Sequence, residues 1–159
     1  MKTASVKEIK DELKFKTSDE LRALCLQLSR FKKENKELLT YLLFEAQDEE
    51  AFIASVKVFI SDAFEEINTK NYYWIRKSVR KILSQTKKYI RYSKKKETQV
   101  ELLLHFCNEL REMDPSYKQS NRLRSVFQNQ VALIEKTING LHPDLQYEYK
   151  IEIENLYES

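Results

Sequence analysis

Glycine and proline are nearly absent from this chain. The 159 residues include one glycine and two prolines. Tight β-hairpin turns depend on residues that tolerate positive φ or fix φ in advance, so a sheet-rich fold would have almost nothing with which to turn. Hydrophobic residues make up 42% of the sequence and charged residues 33%, a balance typical of a folded globular protein. The composition therefore predicts an all-α fold.

Long apolar runs are also missing. The longest mostly apolar runs, such as residues 38–44, fall far short of the roughly 20 residues that a membrane-spanning helix requires. Residues 1–13 are charged throughout and do not resemble a secretory signal. The two cysteines, Cys25 and Cys107, lie inside helical apolar patterns, where buried and reduced thiols are expected. These features lead us to expect a cytoplasmic protein without a membrane span.

Motifs for catalysis, metal binding and nucleotide binding are lacking. The chain has two histidines, His105 and His142. On a helix, His105 and Cys107 point about 200° apart, so they cannot hold one metal ion together. A single glycine cannot build the loop that cradles a phosphate group, and neither cysteine has a neighbour placed to activate it. The sequence predicts a protein that is not an enzyme and that needs no cofactor or metal.

Acidic residues are absent from a thirty-residue stretch. No Asp or Glu occurs from Ile67 to Lys96, whereas Lys70–Lys96 contains eleven Lys or Arg residues. The whole chain has 28 basic and 25 acidic side chains, a net charge of +3. Without the eleven basic residues of this segment, the other 132 residues have 17 basic and 25 acidic side chains, a net charge of −8. A basic segment in an acidic body indicates an anionic partner.

Helix start and stop signals divide the chain. Three segments resemble capping boxes, in which a hydroxyl and a carboxylate three residues apart satisfy free N–H groups at a helix start. They begin at Ser5, Thr17 and Thr98. The apolar stripe changes its angle around residues 47–50, Asp114-Pro115 indicates a loop, and Asn139-Gly140 is typical of a helix C-cap.

The predicted architecture is a single helical domain over residues 1–159. Seven or eight helices would stack as antiparallel hairpins in a short α-superhelix or an irregular helical bundle. Residues 29–39 resemble residues 93–103, a similarity that stacked helical hairpins would generate. Residues 145–157 fit a strand or a helix about equally, and we favour a helix because no second strand is available to pair with it. As a strand, the segment would make residues 141–159 a docking tail for another chain.

Drawn as a helix, the basic segment separates charged from apolar side chains. At about 100° per residue, ten basic side chains fall within an arc of roughly 140°, and Ile75, Val79 and Ile82 fall outside it. Like charges four residues apart each cost a few tenths of a kcal/mol, so a sequence selected only for solubility would interleave glutamates. The ten are Lys70, Arg76, Lys77, Arg80, Lys81, Lys87, Lys88, Arg91, Lys94 and Lys95.

Aromatic residues border this basic arc. Tyr73 falls within it, and Trp74 and Tyr92 fall at its edge. Cations beside flat rings are typical of nucleic-acid binding, in which phosphates contact Lys and Arg and bases stack on the rings. We therefore predict a non-catalytic protein that binds RNA or DNA through residues 70–96. The predicted contact residues are Arg76, Lys77, Arg80, Lys81, Lys87, Lys88, Arg91, Lys94, Lys95, Tyr73, Trp74 and Tyr92.

A protein-interaction scaffold of the helical-repeat type is the alternative. Its basic face would be neutralised by acidic residues of the same chain or bound to an acidic protein partner. The nearest acidic candidates on the preceding helix are Asp48, Glu49, Glu50, Asp62, Glu65 and Glu66. The sequence leaves both this choice and the oligomeric state open.

Overall fold

A computed structural model describes residues 1–158, and over this range the chain is helical and contains no β-strand. Eight α-helices are joined by turns, with a π-helical segment at Tyr41–Glu45 and a 3-10 turn at Tyr117–Gln119. The prediction of an all-α fold with seven or eight helices is confirmed. The helices are α1 (Val6–Leu13), α2 (Ser18–Phe31), α3 (Lys33–Thr40), α4 (Glu49–Glu65), α5 (Tyr72–Ser93), α6 (Lys96–Glu112), α7 (Asn121–Ile138) and α8 (Pro143–Tyr157).

The helices form two compact units. The first unit, Met1–Phe44, contains α1, α2 and α3, and within it α2 packs against α3. The second unit begins at Glu45 and contains α4 to α8. Because compact units and domains are not the same, this division does not test the prediction of a single domain over residues 1–159, which stays a prediction.

Helix α6 is the centre of the second unit. It packs against α4, α5, α7 and α8, so most of its circumference must be apolar. The ring of Phe64 on α4 meets that of Phe106 on α6, with centroids 5.5 Å apart. The second unit is therefore a helical bundle built around α6. The buried residues of α6 are Thr98, Val100, Leu102, Leu103, Leu104, Phe106, Cys107 and Leu110.

Local signals located several helix starts correctly. Ser5 forms the predicted capping box: its Oγ accepts the N–H of Glu8 at 3.3 Å, and its own N–H donates to the Glu8 carboxylate at 2.7 Å. The Oγ1 of Thr17 accepts the N–H of Glu20 at 3.2 Å. Asp48 caps α4 inside the predicted break at residues 47–50. Side chains that cap within three residues need no tertiary partner, which is why sequence alone finds them.

Two sequence predictions, one for a helix start and one for the burial of a cysteine, were wrong. Helix α6 begins at Lys96, with Lys95 as its N-cap residue in place of the predicted Thr98, and Thr98 is buried inside the helix. The hydroxyl of Thr98 donates to Glu49 Oε1 at 2.6 Å, a tertiary partner that the local motif does not reveal. Cys25 is exposed rather than buried, because α2 contains no buried residue. Cys107 is buried as expected.

The C-terminal segment is helical. Helix α8 buries Tyr149, Ile153 and Leu156, so the helix favoured for residues 145–157 is confirmed and the strand alternative is wrong. A docking role for residues 141–159 stays a prediction. None of the helices within residues 1–158 combines the length and the apolarity that crossing a membrane would require.

Candidate nucleic-acid interface

Most of the basic segment folds as helix α5. Asn71 caps its N-terminus by accepting the N–H of Trp74 at 3.2 Å, which satisfies one of the free donors there. The helix has 22 residues, and neither glycine nor proline interrupts it. At 1.5 Å per residue it is about 33 Å long. Its contacts with α4 and α6 fix which side faces the core.

One side of α5 is buried in the second unit. The buried residues are Ile75, Val79, Ile82, Thr86 and Ile90. The hydroxyl of Thr86 donates to the carbonyl oxygen of Ile82 at 2.8 Å, so its burial leaves no polar hydrogen without a partner. This apolar side turns the opposite side of the helix toward solvent.

The predicted basic contact residues lie largely on that solvent-facing side. Seven of the nine are exposed and two are half-buried. The exposed residues are Lys77, Arg80, Lys81, Lys87, Arg91, Lys94 and Lys95, and the half-buried ones are Arg76 and Lys88.

Few of these cations are neutralised by the chain itself. Across residues 1–158, no carboxylate oxygen lies within 4.0 Å of a side-chain nitrogen of Arg76, Lys77, Arg80, Lys81, Lys87, Arg91 or Lys94. Lys95 does have an acidic partner, with its Nζ 3.4 Å from Glu49 Oε2. Unpaired cations along one face of a helix create a positive potential that attracts anions.

Lys94 and Lys95 do not lie on the helical arc. The projection at 100° per residue assumed that the helix continues to Lys96, but α5 ends at Ser93. Lys94 adopts the left-handed conformation with φ of 60°, and its N–H donates to the carbonyl oxygen of Ile90 at 2.9 Å. The next helix begins at Lys96. The two lysines therefore belong to the turn between α5 and α6.

Two exposed aromatic rings lie at the opposite end of α5. Tyr73 is 60% exposed and Trp74 is 42% exposed, and their rings meet edge to face with centroids 5.1 Å apart. The Nζ of Lys77 lies 5.4 Å from the centroid of the Trp74 ring, within cation–π range. Tyr92 is half-buried, and its ring packs against Tyr89 at 6.1 Å. Of the three aromatic residues predicted to stack on bases, only Tyr73 and Trp74 expose their rings, and both lie at the first turn of α5.

Both ends of α5 are held by other elements of the unit. At the start, the Tyr72 hydroxyl donates to the carbonyl oxygen of Ser116 at 2.9 Å. At the end, the Glu49 carboxylate accepts hydrogen bonds from the hydroxyls of Ser93 and Thr98 and pairs with Lys95. Glu49 was predicted as a neutralising residue for the basic face, and these three contacts place it at the end of that segment. The basic side chains are therefore displayed on a helix that is fixed at both ends.

A polar cluster on α4, α6 and α8 was not anticipated from the sequence. Lys57 Nζ contacts Glu101 Oε2 at 2.5 Å, and the hydroxyl of Tyr149 donates to Glu101 Oε1 at 2.9 Å. Ser61 Oγ lies 2.8 Å from both His105 Nε2 and Glu109 Oε1. The four-residue spacing of these side chains within α4 and within α6 indicates that they share a face of each helix. The sequence contains no signal that α4 and α6 pack against each other.

The Ser61 hydroxyl lies between a carboxylate and an imidazole. It donates its single proton to Glu109 Oε1, and the direction of its contact with His105 Nε2 depends on the tautomer of the imidazole. Burial lowers the pKa of His105, mainly through desolvation, so the neutral ring is favoured at neutral pH. We interpret the group as a structural tie between α4 and α6.

The Cys107 thiol is buried on α6. Burial raises the pKa of the Cys107 thiol to about 12, so the thiolate needed for nucleophilic attack is not formed near neutral pH. Within residues 1–158, no three His, Cys, Asp or Glu side chains are grouped so as to hold a metal ion.

Comparison of the chain with protein-family models, with known proteins and with solved structures finds no match.

Proposed function

We propose that this protein is a non-catalytic nucleic-acid-binding protein that contacts RNA or DNA through the exposed face of α5. The observation that carries the proposal is a set of basic side chains without acidic partners in residues 1–158. They are Arg76, Lys77, Arg80, Lys81, Lys87 and Arg91 on α5, with Lys94 in the turn that follows. Phosphate groups would neutralise these cations and release the counterions that both partners hold in solution.

Single-stranded RNA, or RNA with unpaired segments, fits the face better than duplex DNA. The exposed rings of Tyr73 and Trp74 lie at the first turn of α5, and the Nζ of Lys77 lies 5.4 Å from the centroid of the Trp74 ring. Unpaired bases can stack on such rings, whereas the bases of a duplex are already stacked on each other. A solvent-facing row of cations favours contacts with the nucleic-acid backbone over the reading of a specific sequence. The free thiols of Cys25 and Cys107 are consistent with the cytoplasmic location included in this proposal.

An acidic protein partner is the second candidate. The same unpaired cations support it, and the exposed apolar surface of the first unit favours a protein that assembles with others. The two candidates differ in salt dependence, because each phosphate contact releases a counterion from nucleic acid while a mainly apolar protein interface responds weakly to salt.

Charge reversal on α5 tests the proposal. Arg80 and Lys87 are exposed and lack ion pairs within residues 1–158, so Arg80→Glu combined with Lys87→Glu should leave the fold intact. We expect binding to single-stranded RNA, measured by fluorescence anisotropy, to weaken at least about tenfold, because two contacts are lost and two repulsions are gained.

A matched control separates the local effect from net charge. Lys136→Glu combined with Lys150→Glu makes the same charge change at exposed positions of α7 and α8. Those helices pack on α6 and on each other. The control should bind nearly as well as the natural sequence at moderate salt. Equal loss in both variants, or no loss in the α5 variant, would contradict the proposed face.

A further inference from the structure

The first unit exposes an apolar face that its own helices do not cover. Helices α1, α2 and α3 contain no buried residue, although all three are amphipathic. A hydrophobic stripe on a helix is stabilising only when another surface removes it from water, because isolated helices of this length are marginal in water. The exposed stripe therefore requires a covering surface that these three helices do not supply.

The face is formed by α1 and α2 together. Side chains spaced three and four residues apart on each helix line one groove of about 750 Å³. Gln27 and Arg30 contribute the polar edge of this groove. The apolar lining consists of Ile9, Leu13, Leu24, Leu28 and Phe31, and Val6 continues the stripe of α1 toward its N-terminus.

The apolar area of this face matches half of a stable dimer interface. Exposed fractions range from 38% at Leu13 to 82% at Val6. With large side chains contributing on the order of 200 Å² each when fully exposed, the face leaves roughly 700 Å² of apolar surface accessible, which is enough for one side of such an interface. A standard interface buries about 800 Å² per partner, of which somewhat more than half is apolar, or about 450 Å².

The charges on α2 suit a second copy in antiparallel orientation. The helix begins with Asp19 and Glu20 and ends with Arg30, followed by Lys32 and Lys33. In an antiparallel pair, the acidic end of each α2 meets the basic end of the other, and the helix dipoles oppose each other favourably. Asp19, Glu20 and Lys33 already pair locally with Arg22, Lys16 and Glu37 at 2.8, 4.0 and 3.5 Å. These surface charges would therefore fix orientation more than strengthen binding.

We propose that the α1–α2 face binds the same face of a second copy of this chain, giving a two-fold symmetric dimer with antiparallel α2 helices. A two-fold axis makes one self-complementary patch sufficient, since each copy offers both the apolar groove and the opposite charges. The axis crosses α2 near the middle of Ser18–Phe31, close to the exposed Cys25.

Solution mass tests the dimer directly. Sedimentation equilibrium of the full chain should give a mass near twice 19.1 kDa at micromolar concentrations, with dissociation on dilution. Leu24→Glu combined with Phe31→Glu should give the monomer mass while the helical circular dichroism signal is kept, because both side chains are exposed in the single chain. A monomer mass for the natural sequence at every concentration would overturn the proposal and leave a membrane surface or another protein as the occupant of the face.

The chain offers a control matched in residue type and exposure. Leu26 is 46% exposed and Phe15 is 82% exposed, and neither lines the groove. Leu26→Glu combined with Phe15→Glu should remain dimeric. Monomer formation by this control, or a dimer that survives the change at Leu24 and Phe31, would show that another surface is responsible.

Cross-linking of the natural sequence gives a readout that does not depend on any variant folding. Cys25 is exposed and Cys107 is buried, so a short bismaleimide reacts selectively at the middle of α2. In the antiparallel dimer it should join two chains through Cys25, and Cys25→Ser should abolish the product. A dimer mass without this cross-link would overturn the antiparallel arrangement.

Discussion

Lys94 shows how a single residue limits what a helical projection can predict. The wheel correctly separated Ile75, Val79, Ile82 and Ile90 from the basic side chains, because α5 is regular over that range. It misplaced Lys94 and Lys95, because one left-handed residue ends the helix and redirects the chain. Glycine normally occupies such a position, and its absence from the segment removed the usual signal for a helix end.

Replacing Lys94 by glycine should stabilise the protein. A residue with a Cβ atom in the left-handed region costs about 1–2 kcal/mol, part of which glycine recovers after its larger entropy in the unfolded chain is subtracted. We expect Lys94→Gly to raise the free energy of unfolding by about 0.5–1 kcal/mol in urea denaturation. Lys94→Ala removes the same charge but keeps the Cβ atom, so it should gain little. Equal stability of the two variants would show that backbone strain at Lys94 is not the cause.

At the scale of elements, the sequence predicted helices and the breaks between them better than the contacts that join them. The breaks predicted around residues 47–50 and at Asp114-Pro115 carry local signals. The first falls at the start of α4, which begins at Glu49, and the second lies between α6 and α7. Thr98 was misread because its hydroxyl binds Glu49, which is 49 residues earlier in the chain. The amphipathic pattern around Cys25 correctly gave a helix, yet a pattern does not say whether the chain itself supplies the surface that covers it.

The turn between α5 and α6 is held to α4 by Glu49. Its carboxylate binds the hydroxyls of Ser93 and Thr98 and the ammonium group of Lys95. Removing it leaves the buried Thr98 hydroxyl without its charged acceptor, so Glu49→Ala should lower the free energy of unfolding by about 1.5–3 kcal/mol. Trypsin should also cleave faster at the turn, since its lysines are no longer held.

Glu50→Ala is the control for that change. Glu50 is the next residue in the first turn of α4 and is exposed, so its removal alters the interaction with the helix dipole to a similar extent. We expect a loss below about 0.5 kcal/mol, as is usual for surface positions. Equal destabilisation by the two variants would mean that the tie to α5 and α6 contributes little.

For the whole molecule, charge and apolar surface are segregated between the two units. The second unit carries the basic face on a helix fixed at both ends, and its core is closed around α6. The first unit carries an apolar face without a core of its own. Of the seven cations without an acidic partner in residues 1–158, six are exposed and Arg76 is half-buried. Their exposure was predictable from the sequence only as one of two alternatives, because the positions of the acidic side chains depend on the tertiary packing.

The salt dependence of nucleic-acid binding tests the central claim most directly. Anisotropy titrations of nuclease-treated protein with single-stranded RNA, single-stranded DNA and duplex DNA over a series of salt concentrations would give the slope of log affinity against log salt. With four or more phosphates bound by α5, at about 0.7 per contact for single strands, the slope for RNA should be about −3 or steeper. Absence of binding to all three at low salt, or a slope shallower than about −1, would contradict the account and favour an acidic protein partner.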